Sequence, residues 1–284
     1  MHRHQSFDLL LHDDEELGEY LDSPVSQRVT IHEWPLSCVQ RICTEQGGSY
    51  IYKVQAPPTL EAQFYARARS PLMVSVRVIE TKSDTTAMLM EEIKAPRLND
   101  IPLKESEAAA IANDLTEMIG RIHGDLPFMN DISTEEGWTA YIGAALDQIC
   151  ECIHEGSFKQ VSLEQVNKLR EWSEAPALLA EIRSPSGLVH ADLKAENVLV
   201  TNDGYRVLDW QRPIRGPILL DAATLLNSLG FDPTRYVPIG IMQMYHFLHV
   251  AWYAQAARRW VPQGKPWFDR LIADIARDLE LKQF

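Results

Sequence analysis

The sequence predicts an α+β fold in which a small antiparallel sheet precedes a larger, mainly helical region. Short runs rich in β-branched and aromatic residues fill residues 29–93, and turn residues separate them. Beyond Lys104, apolar residues recur three and four positions apart, which is the helical period. A chain of 284 residues with 45% hydrophobic residues is long enough to fill two cores.

Five runs are predicted to form the sheet: residues 29–34, 39–44, 50–55, 74–80 and 87–93. Pro57 and Pro58 end the third run, and a helix over residues 59–69 is expected to follow, with Thr59 as its N-cap. Further helices are predicted over residues 105–124, 137–153, 163–179, 236–259 and 267–281, with another ending near residue 229. The expected domains are residues 1–24, 25–94 and 95–284.

The most specific motif is the segment HADLKAENVLV at residues 190–200, which Leu208, Asp209 and Trp210 follow. A turn signal at residues 202–204 separates two short apolar runs, so a hairpin is expected to bring Asn197 and Asp209 side by side. Asp192 is placed to take a hydroxyl proton, and the oxygens of Asn197 and Asp209 suit Mg²⁺. The motif predicts the catalytic and metal-binding core of a kinase-like phosphotransferase.

Each of these residues alone would more often form a turn or cap a helix. The ordered set of a histidine, an aspartate, an asparagine, a turn and a second aspartate, each beside an apolar strand, favours the catalytic interpretation. Asp221 follows twelve residues after Asp209, and we expect its carboxylate to accept backbone amides and to brace the catalytic loop as a structural residue.

Lys53 lies on the third predicted strand, and Glu61 lies on the helix that follows it. We interpret them as an ion pair that holds the lysine ammonium on the phosphates of a nucleotide. The alternative is a pair of unrelated surface charges. The presence of the downstream motif in the same chain favours the functional pair.

Two further segments are candidates for nucleotide binding. Gly47, Gly48 and Ser49 form a turn whose backbone amides could approach phosphate, although two adjacent glycines are more often only a hairpin turn. The backbone of Glu91, Glu92 and Ile93, at the end of the last predicted strand, could recognise an adenine edge.

Composition excludes several classes of protein. The net charge of -13 argues against binding nucleic acid or an anionic bilayer, because both require clustered Lys and Arg. The chain has no apolar run of membrane-spanning length and no signal-peptide pattern, so a cytoplasmic protein is expected. Its four cysteines form no metal or disulfide pattern. Residues 1–22 hold seven acidic residues against one Arg, which predicts a solvated, partly mobile extension.

These motifs resemble the aminoglycoside phosphotransferase and choline kinase superfamily, whose members are small-molecule kinases with a bilobal, protein-kinase-like fold. The resemblance implies ATP, or alternatively GTP, and Mg²⁺ as cofactors. It implies Asp192 as the catalytic base, Asn197 and Asp209 as magnesium ligands, Lys53 as the phosphate-binding lysine and Glu61 as its partner. His190 would be the structural histidine of the loop, and the segment MLMEEI is similar to the family's hinge.

The chain departs from protein kinases after Asp209, where Trp210 and Gln211 follow instead of Phe and Gly. Only twelve residues separate Asp209 from Asp221, which leaves no room for a peptide-binding activation segment. A small-molecule alcohol is therefore the expected acceptor. A pseudokinase that acts as an interaction module is the alternative, and a protein kinase is disfavoured.

The sequence leaves the acceptor and the oligomeric state open. A polycationic aminoglycoside would require carboxylates, and the acidic helices between residues 131 and 181 could supply one wall. A choline-like amine would require aromatic faces. Rings for that purpose, which at helical spacing are more often core residues, occur at Tyr245, Phe247, Trp252, Tyr253 and Trp260.

Overall fold

The computed structural model describes residues 1–79, 81 and 84–281, which form two compact units. The first unit comprises Met1–Asp100, His123–Pro127 and Glu196–Arg212. The second comprises Ile101–Ile122, Phe128–Ala195 and the described part of Pro213–Phe284. The α+β class is confirmed, whereas the domain boundaries expected at residues 24 and 94 stay predictions.

The strands in chain order are β1 (His2–Arg3), β2 (Leu10–Leu11), β3 (Val25–Trp34), β4 (Ser37–Thr44), β5 (Ser49–Gln55), β6 (Val76–Ile79), β7 (Thr86–Glu91), β8 (Ser186–Val189), β9 (Val198–Thr201), β10 (Gly204–Val207) and β11 (Ile214–Pro217). The helices are α1 (Asp14–Leu21), α2 (Glu61–Arg67), α3 (Glu105–Gly120), α4 (Glu135–His154), α5 (Leu163–Ser173), α6 (Pro176–Ile182), α7 (Leu219–Ser228), α8 (Ile239–Gln255) and α9 (Lys265–Leu281).

The first unit is built on an antiparallel sheet of five strands in the order β3-β4-β5-β7-β6. Lys53 lies on the central strand β5, opposite Val39 of β4 and Met88 of β7. All five predicted strands are therefore present, although Glu80, the last residue of the expected fourth strand, lies outside the described residues. α2 is shorter than expected, because Leu60 occupies the N-cap position and the Thr59 hydroxyl accepts the Glu61 N–H.

The acidic N-terminal segment is folded onto this sheet, so the expectation of a solvated extension is wrong. Leu9, Leu11 and Leu17 are almost fully buried, in one cluster with Ile42 and Tyr52 of the sheet. The acidic residues cap and line the first turn of α1. The segment therefore combines an apolar face, which the sheet buries, with an acidic face, and the charge count alone did not reveal the apolar face.

The predicted hairpin in the first unit is confirmed. β9 and β10 pair antiparallel, with Thr201 opposite Gly204 across the turn. At the open end of the hairpin, the Leu208 N–H donates to the Asn197 carbonyl oxygen at 2.8 Å. The residue before Asp209 is therefore hydrogen-bonded to Asn197, as the spacing of the motif predicts.

The second unit is mainly helical, and β8 and β11 form an antiparallel pair within it. The single helix expected over residues 163–179 is instead two helices, α5 and α6. The reason is Pro176, which lacks an N–H and occupies the first turn of α6. In the same way, α8 begins only after Pro238, three residues later than expected.

Candidate active site

Lys53, Glu61 and Asp209 form a cluster of charges in the first unit. The Lys53 ammonium donates a hydrogen bond to Glu61 Oε2 at 2.6 Å and another to Asp209 Oδ1. The side chains of Lys53 and Glu61 are only 7% and 1% exposed, whereas that of Asp209 is 28% exposed. An isolated charge is costly to bury, so the buried ammonium stays in contact with these two carboxylates. The contacts hold the ammonium in one position.

Electrostatics keeps the lysine of this cluster charged. Burial lowers the pKa of Lys53, but the charges of Glu61 and Asp209 outweigh burial and raise it above its ordinary value. Burial also raises the pKa of Glu61, to about 7, and the charge of Asp209 adds to this effect while Lys53 opposes it. Two carboxylates therefore share one permanent cation.

The segment after Asp209 positions its carboxylate, and the sequence analysis did not assign this role. Gln211 Nε2 donates to Asp209 Oδ1 at 2.6 Å, and the Gln211 carbonyl accepts the Leu60 N–H at the start of α2. The Trp210 ring stacks on Phe64 of α2 with centroids 4.3 Å apart. Asp209 itself has φ 69°, which is strained for a residue with a side chain. The only signal in the sequence was the Trp-Gln pair in place of Phe-Gly.

Asp192 lies in the second unit, in a loop that a buried carboxylate braces. Asp221 accepts the His190 N–H at 2.8 Å and the Ala191 N–H at 3.1 Å. Ala191 has φ 66°, and the Asp192 N–H donates to His190 Nδ1 at 3.2 Å. The prediction that the Asp221 carboxylate accepts backbone amides of this loop is confirmed. The imidazole of His190 is an acceptor at Nδ1 and thereby holds the backbone of Asp192.

The environment of Asp192 differs from that of its brace. The Asp192 side chain is 28% exposed, and its Oδ1 lies 3.0 Å from the Lys194 ammonium. Asp221 is 1% exposed, and burial raises its pKa to about 7, against the two backbone hydrogen bonds that lower it. Asp192 is therefore the accessible carboxylate of the loop, and Asp221 is the structural one.

The glycine pair lies in the turn between β4 and β5. Both amides have partners in this turn, because the Gly47 N–H donates to the Thr44 carbonyl and the Gly48 N–H to the Thr44 hydroxyl, each at 3.0 Å. Gly47 adopts φ 84°, a conformation that favours glycine. This geometry favours the hairpin-turn alternative for Gly47 and Gly48.

The expected hinge, residues 88–93, begins within β7 and continues two residues beyond its end. Glu91 ends this strand, and the Glu92 carboxylate accepts hydrogen bonds from the Ser49 hydroxyl at 2.5 Å and from Arg41 at 2.7 Å. The Glu92 N–H donates to the Ser49 carbonyl at 3.1 Å, and Ile93 is the next residue. The structure thus brings Ser49 and Glu92 into direct contact, and it fixes the backbone around the hinge.

In this chain, a lysine on the central strand of an antiparallel sheet pairs with a helix glutamate, and a buried carboxylate holds the loop that contains Asp192. This is the arrangement of kinase-like phosphotransferases. The family comparison specifies the class. Residues 42–260 match the model of the phosphotransferase enzyme family, APH, and the chain belongs to this family. It is accordingly a small-molecule kinase, and the resemblance predicted from the motifs is confirmed. No curated protein sequence matches the chain.

Solved structures with the same fold include both branches of the predicted resemblance. A thermostable mutant of aminoglycoside phosphotransferase APH(4)-Ia in its apo form is 17% identical, with a TM-score of 0.62, over 94% of this chain and 99% of that chain. Choline kinase LicA from Streptococcus pneumoniae is 14% identical, with a TM-score of 0.60, over 94% and 97%. Choline kinase from Cryptosporidium parvum Iowa II is 10% identical, with a TM-score of 0.61, over 90% and 88%. These likenesses confirm the protein-kinase-like fold. None of the helices in the described residues is long and apolar enough to span a membrane.

Proposed function

We propose that this protein transfers the γ-phosphoryl group of ATP, with Mg²⁺, to a hydroxyl of a small molecule such as an amino sugar, an aminoglycoside, a choline-like amine or another metabolite. The nucleotides bound by structures of the same fold support ATP. One is APH(4)-Ia in a ternary complex with ADP and hygromycin B, and another is LicA in complex with AMP. GTP remains the alternative donor.

The observation that carries the proposal is the buried contact of Lys53 with Glu61 and Asp209. A lysine whose charge is maintained and whose position is fixed can neutralise phosphate oxygens without reorganising. Glu61 holds Lys53 from the protein side, and Asp209, the more exposed partner, is the one that a nucleotide and its metal would meet.

The residues of the β9–β10 hairpin fit a magnesium ion. Asp209 supplies a carboxylate and Asn197 an amide oxygen, and hard oxygen donors are the ligands that Mg²⁺ prefers. Asp209 and Asn197 would hold the ion, which would supply positive charge against the charge that develops on the phosphate oxygens. The side chains of Gln211 and Lys53 both donate hydrogen bonds to Asp209 Oδ1 and thereby orient its carboxylate.

Asp192 is the proposed base. Its carboxylate accepts the proton of the acceptor hydroxyl as the new bond between that oxygen and the γ-phosphorus forms. The bond between the γ-phosphorus and the β–γ bridging oxygen breaks, ADP leaves, and the proton passes from Asp192 to water. The Lys194 ammonium lies 3.0 Å from Asp192 Oδ1, and its proposed role is to offset negative charge on the transferring group.

The proposal is tested by measuring ADP release from Mg-ATP with pooled alcohol-bearing metabolites, amino sugars, aminoglycosides and choline-like amines. Asp192→Asn serves as the blank, and Asp203→Asn, an exposed carboxylate in the β9–β10 turn, is the matched control. We expect signal from one pool in the wild type and in Asp203→Asn, and its loss in Asp192→Asn. The same assay with GTP defines the donor. Binding of Mg-ATP without turnover in any pool would favour the pseudokinase.

We further infer a cytoplasmic location and no nucleic-acid partner. The four cysteines are free thiols, which suits a reducing compartment. The net charge of -13 disfavours binding to nucleic acid.

A further inference from the structure

Helix α8 of the second unit is unusually poor in charge. Between Ile239 and Gln255 it contains no Asp, Glu, Lys or Arg, in a chain with 24% charged residues. Part of the helix is nevertheless accessible. Its partly exposed side chains are Tyr245, His246, Leu248, His249, Trp252, Tyr253 and Gln255. A solvent-facing stripe of a helix is usually polar and charged, so this composition requires an explanation.

Four partly or fully exposed rings follow one another in contact and are here named the aromatic ladder: Tyr245, His249 and Tyr253 of α8 with Trp267 of α9. Successive rings are tilted by 55–59°, and the buried ring of Phe268 packs against Tyr253 and Trp267. Successive ring centroids lie 4.4 Å apart for Tyr245 and His249, 5.9 Å for His249 and Tyr253, and 6.3 Å for Tyr253 and Trp267. His249 Nδ1 donates to the Tyr245 carbonyl at 2.9 Å, which fixes the orientation of its ring. Trp267, at the far end, is 60% exposed.

The end of the aromatic ladder at Tyr245 is linked to the catalytic loop by hydrogen bonds through two adjacent residues of α7. Asn227 Nδ2 donates to the Tyr245 hydroxyl at 3.0 Å, and the adjacent Ser228 hydroxyl accepts the Ala195 N–H at 2.9 Å. Burial is the main cause that raises the pKa of Tyr245, and the charge of Asp192 contributes to the same shift. The ladder therefore begins at a tyrosine whose hydrogen-bond partner, Asn227, is the chain neighbour of the serine that holds the catalytic loop.

Helices α7 and α8 offer no accessible carboxylate to a polycationic acceptor. α8 supplies no carboxylate, and the only one on α7, Asp221, is buried and bonded to the catalytic loop. Beside Asp192 stands the Lys194 ammonium, 3.0 Å away, which would repel a second cation.

A quaternary ammonium does not suit the ladder either. A cage for such a cation holds aromatic faces apart around it. Here neighbouring rings lie 4.4–6.3 Å apart, which is the separation of rings packed directly on each other. The rings therefore do not enclose a space for a cation, and their exposed faces and edges suit contact with a ring or another apolar face of a ligand.

We propose that the phosphoryl acceptor is an uncharged, ring-bearing alcohol, such as a glycoside, that lies against the aromatic ladder while one of its hydroxyls reaches Asp192. This inference rests on the proposed function, because it names the acceptor of the same reaction. The hydroxyl is phosphorylated by the steps given above, and the ring supplies the binding contact.

The test measures binding and transfer separately. The neutral probes are phenyl β-D-glucopyranoside, octyl β-D-glucopyranoside and uridine, and the charged probes are kanamycin and choline. Calorimetric titration gives binding, and ADP release gives transfer. The variants are Trp267→Leu, which removes the most exposed ring of the ladder, and Tyr253→Leu. Trp252→Leu is the matched control, because its ring stacks on Trp260, 5.2 Å away, outside the ladder.

We expect at least one neutral probe to bind saturably and to be phosphorylated. Its KM should rise about fivefold to tenfold in Trp267→Leu and Tyr253→Leu with kcat nearly unchanged, and Trp252→Leu should change it less than twofold. Kanamycin or choline as the better substrate, with a KM insensitive to Trp267→Leu, would overturn the inference and leave the kinase standing. Absence of binding by all three neutral probes would also overturn it. Ladder-dependent binding of a neutral probe without ADP release from any probe would support only the binding part of the inference and would contradict the proposed function.

Discussion

The charged cluster of the first unit and the aromatic ladder of the second differ in physical character: the cluster consists of charged side chains and the ladder mainly of uncharged rings. Lys53, Glu61 and Asp209 are charges that burial and mutual contact hold in place. The ladder contains no formally charged side chain apart from its histidine, and it runs from the partly exposed Tyr245 to Trp267, which is 60% exposed. Phosphate chemistry is the same for every acceptor, so it can depend on a rigid set of charges. Recognition of the acceptor differs between kinases, and we propose that in this chain the rings of the aromatic ladder contribute to it.

The strongest test of the charged cluster is Asp209→Asn. The amide has the same shape but loses the negative charge that would hold both Mg²⁺ and the Lys53 ammonium, so kcat should fall by about 10³-fold or more. Asp203→Asn, which removes an exposed carboxylate from the same hairpin, should retain full activity. Kinetics with a saturating acceptor checks both variants. Activity of Asp209→Asn within tenfold of the wild type would remove the metal assignment.

Lys53→Met separates stability from catalysis. The variant leaves Glu61 buried without its cation, and we expect a loss of about 3 kcal/mol in the free energy of unfolding. Adding Glu61→Leu removes the isolated charge and should restore most of this loss, without restoring phosphotransfer. Urea unfolding and ADP release measure the two effects. A double variant as unstable as Lys53→Met would show that the pair is not the main source of the loss.

The buried brace of the second unit predicts a pH dependence. The pKa of Asp221 is raised to about 7 in the folded state, so protonation of Asp221 stabilises the folded protein. This stabilisation is lost as the pH rises through 7. The free energy of unfolding should decrease by up to about 1.4 kcal/mol per pH unit between pH 5 and 7 through this group. The free energy of unfolding of Asp221→Asn should change less with pH over that range. Unfolding at pH 5, 6 and 7 gives both slopes, and equal slopes would contradict the shift.

Gln211 should show the smallest of these effects. Gln211→Leu removes one of the donors that orient Asp209, so we expect kcat/KM to fall about tenfold and the Mg²⁺ concentration for half-maximal rate to rise. Gln211→Glu has the same size but adds a negative charge beside Asp209, and it should be less active than Gln211→Leu at low Mg²⁺. The opposite order of the two variants would show that Gln211 does not act through Asp209.

The features that the sequence predicted correctly depend on residues close together in the chain. The β9–β10 hairpin follows from one turn, and the brace from Asp221 follows from a carboxylate at the start of a helix. The contact of Lys53 with Glu61 was found because both lie on consecutive elements.

The features that were missed depend on contacts between distant segments. Burial of Leu9 in one cluster with Tyr52 reverses the expectation for an acidic segment. The amide of Gln211 donates to Asp209 where the backbone turns with a positive φ. Neither periodicity nor spacing contains that information.

The most direct test of the central claim is ³¹P nuclear magnetic resonance of the protein with Mg-ATP and the acceptor pools. We predict a phosphate-monoester signal that appears with the wild type as the γ-phosphate signal of ATP declines, and that is absent with Asp192→Asn. Unchanged ATP with every pool, or an equal monoester signal from both proteins, would contradict the assignment of this chain as a kinase that uses Asp192.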